Sequence, residues 1–143
     1  KLPKLIPKIK VKFNKENFAV GDYATANIQL ENITDFYQLN FNLKYDKYVL
    51  EPIYVSRGKL FVDNEKLLSF NHPQLDKAGL IKDLSASLDS PQEIKDDTVA
   101  QIHFKVLAKG NASLEFENLN VYDSKQNKIN LKRQLEDINL KEE

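Results

Sequence analysis

The chain has 143 residues, with 21 Lys+Arg against 21 Asp+Glu, two His and no Cys, Met or Trp. This composition excludes a disulfide framework, a thiol nucleophile and a cysteine-based zinc site. A formal net charge of zero argues against a general polyanion binder, and no apolar run approaches the roughly 18 residues needed to span a bilayer. The length suits one domain with its own core.

The chain opens on KLPKLIPK, whose two prolines predict an extended lead-in over residues 1–8. A single domain is expected over 9–140, followed by a charged tail at 141–143. No signal pattern is present at the start, and the fragment reads as a module cut from something larger.

Period-two alternation dominates from Ile9 onward, as strands with one buried face require. Ile9, Val11 and Phe13 alternate with lysines. Ala24, Ala26, Ile28 and Leu30 form a second apolar row, and Leu39, Phe41, Leu43 and Tyr45 a third. Less regular strands are predicted at Val49–Val55, Leu67–Phe70 and Leu80–Leu88. Ile102, Phe104 and Val106 follow, then Leu114 and Phe116. The next apolar pair, Leu119 and Val121, has the opposite parity, which predicts a bulge near Asn118. A last strand is expected at Glu136–Leu140, and Lys128–Leu135 should be extended. Turn residues separate these segments, among them Val20-Gly21-Asp22, Arg57-Gly58, Ala78-Gly79, Ser90-Pro91 and Lys109-Gly110. About nine short strands without an amphipathic helix read as an all-β sandwich.

The residues offer little for catalysis. His72 sits beside a turn proline and His103 on the outward parity of its strand, so both are expected to be solvated. The four glycines are isolated, which excludes a phosphate loop, and no nucleophile elbow exists. The stretch from Asp123 to Lys128 has the acidic start of a calcium loop, but Lys128 stands where that loop requires Gly. Two carboxylates brought together by the fold could still form a glycosidase pair. A sugar-binding sandwich needs exposed aromatics. Tyr37, Tyr48, Tyr54 and Tyr122 are candidates, with packing the simpler reading for most. Six lysines and no acid fall within residues 1–15, where they are expected to protect an edge strand from pairing.

The order of short motifs adds to this reading. Ala19-Val20-Gly21-Asp22 is followed by Asn27–Asn32, then by the run Phe36–Asp46 and Val49-Leu50-Glu51. Later come Thr98–Val106, Lys109-Gly110, Leu114–Asn118 and Val121–Ser124. In this order they resemble clostridial cohesin modules, whose pattern runs from "VGD" through "LxYDxxVLE" and "AxIxFK…G" to "LxFEN…DS". The resemblance covers Ala19 to Ser124. It implies an all-β fold, a nine-stranded antiparallel β-sandwich with jelly-roll topology. It also implies binding rather than catalysis. The partner would be a dockerin of another secreted protein, a small helical module that carries its own calcium. The cohesin itself would need no cofactor or metal. It would bind neither nucleic acid nor membrane, and on its own would be a monomer, secreted or held at the cell surface.

The family's binding surface is the outer face of its eighth, third, sixth and fifth strands. Carried onto this chain, the resemblance implies Gln38 and Asn40 on the third strand and Asn71 on the fifth. It implies Asp83, Ser85 and Ser87 on the sixth, with Ile81 as an apolar anchor of the same parity, and Glu115 on the eighth. A one-residue slip on the sixth strand would exchange Leu84 and Ala86 for Asp83 and Ser85. A carbohydrate-binding module and a passive Ig-like spacer remain open as alternatives.

Overall fold

The computed structural model of the chain describes residues 5–75, 78–135 and 138–141. Eleven strands build it: β1 (Lys8–Phe13), β2 (Asn17–Ala19), β3 (Tyr23–Lys44), β4 (Leu50–Arg57), β5 (Leu67–Asn71), β6 (Gln74–Leu75), β7 (Leu80–Val106), β8 (Gly110–Ala112), β9 (Glu115–Tyr122), β10 (Lys132–Leu135) and β11 (Ile138–Lys141). Among the described residues the only helical element is a 3-10 turn at Lys59–Phe61.

Two strands organise the sandwich. The segments expected separately around Ala24–Leu30 and Leu39–Tyr45 are one strand, β3. Leu80–Leu88 and Ile102–Val106 likewise belong to one strand, β7. Residues 23–31 of β3 pair with β1 and with residues 96–105 of β7, whose other side takes β4. Residues 38–44 of β3 pair with β9 and with residues 80–87 of β7, whose other side takes β5 and β6. These are the two layers, and β3 and β7 run through both. The pairing between them is irregular at the crossing, from Ile33↔Ile94 through Phe36↔Gln92 to Gln38↔Ser87. The expected turn at Ser90-Pro91 is therefore a bend within β7. Proline has no N–H for a ladder and is tolerated where pairing is already broken.

Most partners are antiparallel. The pairs of β10 on β1 and β11 on β2 are parallel, and β2, β11 and β8 form a small separate sheet. Because β10 covers β1, the lysines of β1 do not guard a free edge as expected. Lys10 instead meets Glu31 at 2.9 Å and Asp96 at 3.7 Å. Of the strand expected at Glu136–Leu140, Ile138–Leu140 lie in β11; Glu136 and Asp137 lie outside the described residues, as do parts of the predicted lead-in and tail.

Inward rows from both layers meet in one core. It includes Ile28, Leu30, Phe36, Leu39, Phe41, Phe104 and Phe116. Phe41 and Phe116 pack edge to face at 5.2 Å, joining β3 to β9. The predicted parity switch is present: Leu114, Phe116, Leu119 and Val121 are all buried, and Asn118 takes a left-handed φ of 51°. Asparagine adopts that conformation more readily than most residues.

Candidate functional site

Consider the outer face of the layer β9–β3–β7–β5. Alternation turns every second residue of residues 38–44 outward, and register places them in rows. One row reads Asn120, Asn40, Ser85, Asn71 across the four strands. The next reads Tyr122, Gln38, Ser87, Ser69. Side chains couple along these rows. Asn120 Nδ2 donates to Asn40 Oδ1 at 2.9 Å, and Asn71 Nδ2 to Ser85 Oγ at 3.0 Å. The Ser69 and Ser87 hydroxyls share a bond of 2.8 Å. The result is a ladder of amides and hydroxyls held on rigid strands. Such groups cost less to desolvate than charges and bond to either donors or acceptors.

Gln38, Asn40, Ser85 and Ser87 are partly exposed on this face, and Asn71, Asp83 and Glu115 are exposed. Glu115 stands opposite Lys44 at one end, away from the central rows. Ile81 is different. It is fully buried, paired with Leu43, and belongs to the core. The expectation that it anchors a partner is overturned by a bulge. Asp83 has a φ of 61°, and the pairing of β3 with β7 shifts between Phe41↔Leu84 and Leu43↔Ile81. The Asn42 side chain accepts the Asp83 N–H at 2.9 Å and holds this bulge. Parity therefore reverses between Ile81 and Ser85: Leu84, Ala86 and Leu88 turn inward with Ile81, and Ser85 and Ser87 turn outward.

Four further residues of the face escaped the sequence reading: Asn42, Leu68, Ser69 and Asn120. Asn42 follows Gln38 and Asn40 by simple alternation, and Asn120 follows once parity is carried through Asn118. Ser69 and Leu68 gave no such signal, because a bulge on β5 pairs Leu67 with Leu88 but Ser69 with Ser87. It leaves Leu68 67% exposed at the rim of the ladder. Beside the Asn40–Ser85 row, on the side away from Gln38, Asn40, Asn42, Asp83, Ser85 and Asn118 line a shallow depression of about 280 Å³.

Of the two histidines, His72 is exposed as expected and His103 is not fully solvated. His72 packs its ring edge to face against Phe70 at 5.1 Å. His103 is half-buried on the other layer, bonded at both ring nitrogens, and burial lowers its pKa below the ordinary 6.5. Among the described residues no three His, Asp or Glu side chains gather as a metal site would require.

The chain is a β-sandwich whose outer face carries an uncharged bonding ladder with one exposed apolar side chain, Leu68, beside it. The family to which it belongs is also shown: residues 8–136 match the cohesin domain, so the chain belongs to the cohesin family. It is 30% identical over 132 residues to Cell surface glycoprotein 1 of Acetivibrio thermocellus, covering 78% of this chain. The chain spans only 6% of that protein's length. Its fold is similar to a type II cohesin domain from the cellulosome of Acetivibrio cellulolyticus (TM-score 0.77, 23% identity, 94% of this chain and 95% of the other). It is also similar to the type II cohesin–X-dockerin complex of that organism (TM-score 0.75, 22% identity, 94% of this chain and 99% of the other).

Proposed function

We propose that this chain is a non-catalytic docking module that binds a calcium-loaded dockerin through the β9–β3–β7–β5 face. Its place would be among secreted or cell-surface proteins that assemble carbohydrate-active enzymes. The observation that carries this reading is the row Asn120, Asn40, Ser85, Asn71, coupled across four strands on the face where the family binds. Family membership and the likeness to a cohesin–dockerin complex support it.

The chemistry suits a helical partner. Amide and hydroxyl groups can meet the side chains and end carbonyls of a helix, and the strands lose no backbone freedom on binding. Leu68 at the rim supplies the apolar contact first assigned to Ile81. A complex of standard size buries about 1,200–2,000 Å² in total. The metal belongs to the partner, so removing it should unfold the partner's loops and leave this chain intact.

Calorimetry against calcium-loaded dockerins encoded in the same genome tests the proposal. Saturable one-to-one binding by at least one of them is expected, abolished by EDTA while the melting curve of this chain stays unchanged. Absence of binding to every one of those dockerins would refute it.

A further inference from the structure

The opposite layer carries an exposed side-chain cluster of different chemistry. Its outward residues come from residues 23–31 of β3, 96–105 of β7 and β4. At its centre His103 is held on both sides: Thr25 Oγ1 meets Nδ1 at 3.0 Å, and Ser56 Oγ meets Nε2 at 3.1 Å. Thr25 and Ser56 stand on the two strands that flank His103, so the imidazole cannot turn. Over it lies Tyr54, with ring centroids 4.1 Å apart and planes inclined by 18°.

A bulge puts Tyr54 there. Pro52 pairs with Phe104 and Tyr54 with His103, leaving Ile53 as the extra residue of β4. Bulges re-aim side chains in this way. Tyr54 remains 53% exposed, so one ring face rests on His103 and the rest is open to solvent. Beside it, Ser56 donates to Gln101 Oε1 at 3.4 Å, and Gln101 Nε2 donates to Asn27 Oδ1 at 2.8 Å. Ser56, Gln101 and Asn27 carry no charge, and burial favours the neutral form of His103. The charged groups lie at the margins, with Lys12 beyond Asn27 at the end of the row and Glu51 opposite Lys105 two residues along β7. Lys10 and Glu31 pair with each other further along the layer. Two strands from Tyr54, about 10 Å sideways, Tyr23 is 65% exposed opposite Lys105.

We propose that this face binds a neutral, β-linked hexopyranose chain, with Tyr54 as the stacking platform and the Ser56–Gln101–Asn27 row as its hydrogen-bonding flank. The flat apolar face of such a sugar matches a tyrosine ring that is already immobilised, and its hydroxyls match groups able to donate and accept. An anionic ligand would want fixed positive charge at the centre, and a purely apolar one would leave the polar row unpaired. Pre-organisation of the ring by His103 lowers the ordering cost of binding. The proposal does not depend on the dockerin reading, because the two sites lie on opposite layers.

The test is an NMR titration of the ¹⁵N-labelled chain with cellohexaose and, separately, chitohexaose. At least one should bind with a Kd on the order of 1 mM. The shifts should be confined to the neighbourhood of Tyr54, His103, Ser56 and Gln101. Tyr54→Ala should weaken binding about tenfold, and Tyr54→Phe, which keeps the ring, should retain it. Asn40→Arg should leave sugar binding unchanged. Thermal melting verifies that each variant is folded, and the wild-type shift map does not depend on any variant. The proposal is overturned if neither sugar shifts these residues, if the shifts fall on the Asn40 face, or if Tyr54→Ala binds like the wild type. Concentration-dependent dimerisation through the Tyr54 face would likewise overturn it and assign the face to a second copy.

Discussion

Asn120 sits directly opposite Asn40 and donates to it at 2.9 Å, because one extra residue at Asn118 offsets β9 against β3. On the other side of the bulge Asn42 faces Glu117. Without that residue Asn120 would point into the core and the ladder would end at β3.

The ladder makes Asn40 the most informative position for the proposed docking. Asn40→Arg puts a charge where the partner must exclude water, and such burial costs several kcal/mol. The dockerin affinity measured by calorimetry should fall at least about a hundredfold. Asn40 is partly exposed, so the melting temperature should move by no more than about 3 °C. Unchanged affinity would remove Asn40 from the interface.

Ile81 and Leu68 should exchange the roles that parity first suggested. Ile81→Ala opens a cavity in the core and should cost about 2–5 kcal/mol in urea unfolding. Leu68→Ala removes an exposed side chain and should leave stability within about 0.5 kcal/mol. Leu68→Ala should still weaken dockerin binding about tenfold.

Gly58 is required for closeness rather than for backbone freedom. Its φ is −74°, an ordinary value, but a Cβ there would collide with the backbone O and C of Thr98. Backbone atoms cannot rotate away from such a contact. Gly58→Ala should destabilise by about 3 kcal/mol, lowering the melting temperature by about 10 °C. A melting curve matching the wild type would show that β4 and β7 can separate freely at this point.

Burial lowers the pKa of His103. As pH falls through about 6.5, the unfolded chain takes up a proton at this residue before the folded one does. Stability from this group is therefore complete above that pH, declines below it, and levels off once pH passes the lowered folded value. Melting temperatures at about pH 7.5 and about pH 5.5 should differ more for the wild type than for His103→Gln. Equal differences would show that His103 does not contribute.

Much of the fold was legible because alternation is local. The inward rows of Ala24–Leu30 and Leu39–Leu43 announce their buried face without reference to a neighbour, and these residues are buried as expected. The bulge at Asn118 was legible for a related reason. Apolar residues flank it on both sides, so the parity change is written in Phe116 and Leu119. At Asp83 the polar residues mislead: Asp83, Ser85 and Ser87 extend their parity back onto Ile81, and the contrary signal, Leu84, Ala86 and Leu88, leads into the core.

The sequence alone determined the class of fold, the family and most of the polar residues of the proposed docking face, since hydrophobic alternation and motif order are properties of neighbours in the chain. Tertiary structure decided which of those residues stand together. It joined predicted strands into β3 and β7, turned Ile81 inward, exposed Leu68 and laid Tyr54 on His103. The reason is physical. A bulge or a bend is settled by hydrogen bonds to a strand far away in sequence, and one inserted residue reverses every side chain beyond it.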